Sequence, residues 1–87
     1  MVEASKVKFT RHAIEKFKAV KRYGFEIDKG QVIETVLNPE HLDKRDYQYF
    51  AVKVIDSEHG LRVVYEKRKD YLVVITFYPV RRERYGI

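Results

Sequence analysis

The chain has no cysteine and no tryptophan, and its 87 residues include only two prolines and four glycines. Without cysteine there is no disulfide scaffold and no thiolate zinc site, and a reducing cytoplasm is the expected setting. No run approaches the roughly 20 apolar residues of a membrane span. The opening MVEASKVKF has no apolar stretch of signal-peptide length, so a cytoplasmic protein without a membrane role is expected. The glycines Gly24, Gly30, Gly60 and Gly86 are scattered, which leaves no glycine-rich phosphate loop. Ser5 and Ser57 lack a nucleophile-elbow motif. His12, His41 and His59 have no metal-ligand spacing, so neither a metal nor a cofactor is expected.

What the chain does have is charge and aromatic residues. Hydrophobic residues make up 45%, seven Tyr and five Phe among them, which argues for a packed core in one domain spanning 1–87. The net charge of +5 is unevenly spread. Residues 1–24 carry seven basic and two acidic groups, 25–60 four and eight, and 61–87 seven and three. Basic ends around an acidic middle suggest a basic face formed where the ends meet. A solvated mixed-charge surface would give the same count by chance.

The apolar pattern predicts α+β. Lys6 to Phe9 alternates as a short strand. Thr10 reads as an N-cap, with Phe9 and Ile14 as a hydrophobic staple, and Ala13, Ile14, Phe17 and Val20 as one stripe ending at Gly24. Asp28 and Gln31 form a capping box for a second helix, with Ile27 and Val32 as its staple; Asn38-Pro39 stops it. Residues 40–46 read as a charged loop. Tyr47 to Asp56, Leu61 to Lys67 and Tyr71 to Tyr78 read as strands, the last apolar on both faces and therefore central, and ended by Pro79. The expected order is β-α-α-β-β-β, an antiparallel sheet with a helical hairpin on one face and the short first strand at an edge.

Four groups of residues carry candidate chemistry. The C-terminal Arg81-Arg82-Glu83-Arg84-Tyr85 interleaves arginines, which bind phosphate bidentately, with a tyrosine that can stack on a base or move a proton. Its other reading is a solubilising terminus. His12, at the start of the first helix, can stay neutral and act as a base, or can simply cap a neighbouring backbone group. Arg11 and Lys16 share its helix and would contact RNA, as would Arg82 and Arg84. Arg62 and Glu66 project from one face of a strand, either towards a substrate or as an ordinary ion pair.

Phe9-Thr10-Arg11-His12-Ala13, Gly24-Phe25-Glu26-Ile27, Val32 to Leu37 with Asn38-Pro39, Val63-Val64-Tyr65, Val73 to Pro79 and the arginine-rich tail together resemble the family called domain of unknown function 4258. The resemblance runs from about Lys6 to Tyr85. That family is similar to the RelE and BrnT toxins of toxin–antitoxin pairs. The resemblance implies a RelE-like fold and a metal-independent endoribonuclease that cuts mRNA, often on the ribosome, or an inactive relative. It implies RNA or the ribosome as partner and allows an antitoxin chain as another. Arg62, Arg81 or Arg82, and Tyr85 are the positions that match its basic and tyrosine chemistry; His12 or Tyr85 would supply the base. A non-catalytic RNA- or ribosome-binding module and a protein-interaction domain are the competing expectations.

Overall fold

The computed structural model describes residues 6–87. Within them lies a five-stranded sheet with two helices on one face. The order along the chain is β1 (Val7–Phe9), α1 (Arg11–Arg22), α2 (Lys29–Leu37), β2 (His41–Arg45), β3 (Gln48–Val54), β4 (His59–Arg68) and β5 (Tyr71–Arg81), then a 3-10 turn over Arg82–Tyr85. The sheet order is β1-β5-β4-β3-β2. The α+β class with a helix pair on one face agrees with the sequence.

The helix ends form as the sequence dictates. Thr10 Oγ1 accepts from the Ala13 N–H at 3.1 Å. At the other end of α1, Gly24 takes φ 88°, and the Phe25 and Gly24 N–H groups bond back to Val20 and Lys21. That is a Schellman closure, which a side chain at Gly24 would strain. Asp28 and Gln31 exchange hydrogen bonds of 2.8 and 2.9 Å as a capping box. Ile14 departs from expectation: it is 42% exposed, so the stripe that packs is Ala13, Phe17 and Val20.

Three strand expectations need correction. The sheet is mixed, because β1 pairs parallel with β5, Val7 opposite Leu72 and Phe9 opposite Val74. The chain leaves β1 through α1 and α2 and comes back along the other strands, and only β5 returns to its side in the same direction. Residues 40–46 are not a loop, since β2 pairs antiparallel with β3 through a two-residue turn at Asp46 and Tyr47. An edge strand needs only one ladder and little burial, so it can be mostly polar, leave its one apolar residue in solvent (Leu42 is 51% exposed) and show no apolar alternation. The central strand is β4, and β5 continues past Pro79 to Arg81. Proline fits there because β1 pairs with β5 only as far as Val74, leaving the outer edge of β5 without a strand neighbour.

The register divides the residues between two faces. Tyr49 and Ala51 of β3, Leu61, Val63 and Tyr65 of β4, and Leu72, Val74 and Phe77 of β5 meet the helices. A register shift after Val64 lets β5 keep its apolar set on that side. On the opposite, helix-free face lie Phe50 and Val52, then Arg62, Val64 and Glu66, then Thr76 and Tyr78.

Candidate functional site

One row crosses the helix-free face: His41 pairs with Val52, Val52 with Arg62, and Arg62 with Tyr78. Neighbouring strands sit about 4.8 Å apart, so the row spans roughly 14 Å. The Arg62 guanidinium lies 4.7 Å from the Phe50 ring centre, 5.8 Å from Tyr78 and 6.0 Å from Tyr85. Three rings around one guanidinium fix it by cation–π attraction and stacking, which holds its plane without neutralising its charge. No carboxylate forms an ion pair with Arg62 among the described residues, and its Nε is buried with no hydrogen-bond partner.

The 3-10 turn brings Tyr85 onto this face. Arg82 anchors it: the backbone N–H donates to the Glu58 carbonyl at 3.1 Å, Nε to the Ile87 carbonyl at 2.7 Å and Nη1 to the Asp56 carbonyl at 3.3 Å. Tyr85 then meets His41 edge-on, ring centres 5.2 Å apart. Val52, beneath, is 0% exposed although no helix covers that face. Gly60 keeps β4 close to β3 beneath the tail: a Cβ there would stand 3.0 Å from Val52 Cγ1 and 3.3 Å from the Lys53 carbonyl oxygen, whereas Ile87 Cδ1, at 3.6 Å, would be an ordinary contact.

The remaining site candidates fall elsewhere. Arg81 pairs with His59 across β4, which turns it to the helix side, where Nη1 meets Glu58 Oε2 at 3.2 Å. Arg82 is the anchor just described. Arg84 and Arg11 are exposed, and Lys16 is half-buried on α1. His12 lies at the β5 edge, with Nε2 3.2 Å from Thr76 Oγ1. Tyr85 lies over β3, so His12 and Tyr85 stand on opposite sides of the face. Arg62 and Tyr85 are therefore brought together; His12 and Arg81 are not brought to them. Glu66 bonds Arg68 at 2.8 Å, not Arg62, and that charge-assisted bond, helped by Gln48, holds its carboxyl below the usual range.

His41, Phe50 and Tyr78 complete the cluster and were not among the sequence candidates. The alternation groups Phe50 with Val52 and Val54, and Arg62 with Val64 and Glu66, and reads Tyr71 to Tyr78 as apolar on both faces; only the cross-strand register puts Phe50 and Tyr78 beside Arg62. His41 had no signal at all, because its strand carries no apolar pattern.

Chemically, the cluster offers one oriented cation, three rings able to stack on flat ligands, a phenol and an imidazole. The described residues hold no group of three or more His, Asp or Glu side chains arranged for a metal ion. No helix among them is long and apolar enough to cross a membrane. Comparison with protein-family models, with curated proteins and with solved structures finds no match to this chain.

Proposed function

We propose that this domain binds RNA across the helix-free face of its sheet and acts as a RelE-like, metal-independent endoribonuclease centred on Arg62 and Tyr85. The observation that carries the reading is the Arg62 guanidinium, unpaired by any carboxylate among the described residues and set among Phe50, Tyr78 and Tyr85. Arginine interleaved with stacked aromatics on an open sheet is a surface suited to single-stranded nucleic acid, since phosphate meets the cation and bases meet the rings. The net charge of +5 favours the same polyanion.

Cleavage at a ribose would need the 2′-hydroxyl deprotonated, the crowded phosphorane stabilised and the 5′-oxygen protonated. Arg62 supplies the charge. Tyr85, 6.0 Å from it, supplies a proton-transfer group, and His41 beside Tyr85 is a second. His12 at the strand edge is left to contact flanking nucleotides. The RelE-like topology and an antitoxin partner for this face belong to the same proposal.

A non-catalytic RNA- or ribosome-binding module is the second reading. It is favoured by Arg81 and Arg82, whose guanidinium groups are engaged by Glu58 and by backbone carbonyls and so are withdrawn from a phosphorane. The test is cleavage of unstructured RNA and of ribosome-bound mRNA in the presence of a chelator, with growth followed on induction. Wild type should bind and cut, Arg62→Ala should do neither, and Tyr85→Phe should bind without cutting. Salt-dependent binding with no cleavage by wild type leaves the module reading; no RNA binding at all sinks both.

A further inference from the structure

Tyr85 sits between two polar groups that gain nothing from it. His41 Nδ1 and Arg62 Nε are the described residues' buried side-chain nitrogens without a hydrogen bond, and both flank this one ring. A buried donor or acceptor that makes no bond keeps its full desolvation penalty. The edge-on contact with His41 and the ring over Arg62 fill space but offer neither nitrogen an in-plane partner.

The surroundings form a slot under a roof. Val52, wholly buried, is the floor. His41 and Arg62 stand to either side of it in the cross-strand row, and the Phe50 and Tyr78 rings lie next to Arg62. The roof is Tyr85, with Ile87 reaching over Gly60. That roof is lightly held: no residue of the 3-10 turn is buried, and three hydrogen bonds from Arg82 are its main ties.

We propose that the slot is a nucleobase pocket, closed in the free protein by its own Tyr85, and that the Arg82–Tyr85 turn is a lid which an RNA base displaces. The inference rests on the RNA reading above and names the part of the ligand that the face takes first. A base has the flatness of the phenol ring it replaces. Its edge offers a carbonyl or ring-nitrogen acceptor to the Arg62 Nε–H, and a donor or an acceptor to His41 Nδ1, whichever tautomer the imidazole holds. Its faces stack on Phe50 or Tyr78. A phosphate alone would satisfy Arg62 but would desolvate against Val52 and leave the rings unused.

The test uses the full chain and its affinity for 5′-AMP, GMP, CMP and UMP, with ribose 5-phosphate as the arm that lacks a base. Two variants open the lid by different routes. Tyr85→Ala removes the ring, and Arg82→Ala unties the turn while leaving the slot intact, so the test survives if one of them fails to fold. In a folded open-lid variant at least one nucleotide should bind about tenfold tighter than to wild type. Adding His41→Ala should abolish the gain, and ribose 5-phosphate should show none. An unchanged affinity in the folded open-lid variants overturns the lid, and an equal gain for ribose 5-phosphate overturns the base pocket in favour of a bare phosphate site. RNA binding by wild type is scored separately. Its absence with the nucleotide gain intact sinks the RNA reading and keeps the slot, whereas RNA binding without the gain does the reverse.

Discussion

The two faces of the sheet are held by different means. On the helix side, Ala51, Leu61, Val63, Val74 and Phe77 are buried under α1 and α2 in one continuous core with Val20, Val32 and Val36. Phe17 packs at a tilt against Phe77, ring centres 4.6 Å apart, and against Phe9 at 6.0 Å, which ties α1 to β5 and β1. On the other side Val52, Val64 and Val73 are buried too, yet stand outside that core. Their cover is long polar and aromatic side chains such as Arg62, Glu66, Phe50 and Tyr78, together with the C-terminal turn. One face therefore excludes water with helices, and the other with side chains that carry charge. Stability is expected to reside on the first and chemistry on the second.

The largest expected effect breaks or keeps that division directly. Phe77→Ala should cost about 3–5 kcal/mol, because a wholly buried ring between α1 and the sheet leaves a cavity that two packed layers cannot close. Val64→Ala on the other face should cost only roughly 1–2 kcal/mol, since flexible neighbours can fall into the space. Urea denaturation of both variants measures this. Equal losses would mean that the side-chain cover is as rigid as the helices, and the comparison would fail.

The difference between the faces also explains how much could be read from the sequence. Helix-side residues announce themselves by period. The 3.6-residue spacing of Ala13, Phe17 and Val20 and the alternation of Leu61, Val63 and Tyr65 were legible, as were Thr10, Gly24 and the Asp28–Gln31 box, because each acts through neighbours in the chain. The helix-free face obeys no such rule. Its cluster joins positions 41, 50, 62, 78 and 85, which only strand order and register bring together. Arg62 and Tyr85 stood out by residue type, but His41 could not, since an edge strand needs no pattern. Ile14 failed for the opposite reason: its spacing fits the stripe, but the sheet beneath α1 reaches only as far as β1.

The second effect tests the chemical side. Arg62→Ala should weaken RNA binding by tenfold or more. Stability should shift by about 1 kcal/mol, because the lost cation–π contacts, each worth roughly 0.5–1 kcal/mol, are partly offset by removal of an unsatisfied Nε. Filter binding and urea melts separate the two quantities. A stability loss on the Phe77→Ala scale would make Arg62 a structural residue. Arg81→Ala sharpens the contrast from within the same tail. Its guanidinium is on the helix side in an exposed pair with Glu58, so RNA affinity should fall less than threefold and stability by under about 0.5 kcal/mol. A loss as large as that of Arg62→Ala would mean that the tail binds as a simple cluster of charge.

The smallest effect follows the carboxylates, none of which is buried among the described residues. Asp56 closes the turn before β4. Its carboxylate accepts from the Glu58 and His59 N–H groups at 2.8 Å and meets His59 Nδ1 at 3.1 Å. The Glu58 N–H bond, first among these, holds its carboxyl below the usual range. A carboxyl whose folded value is lowered gives stability that is fully present above its unfolded value, near 4, and is lost as pH falls through the folded one. The melting temperature of wild type should therefore exceed that of Asp56→Asn at neutral pH, and the two curves should converge as the pH drops below about 4. Tyr65, on the helix side, behaves in mirror image. Burial, with Tyr49 stacked 5.1 Å away, pushes its phenol up, so its contribution is present below the ordinary tyrosine range and is lost as pH rises through the raised value. Acid should loosen the turn that anchors the C-terminal lid while the helix-side core holds, and alkali should act on that core. A gap between wild type and Asp56→Asn that stays constant down to the lowest pH would show that the turn is held by shape and not by the carboxylate.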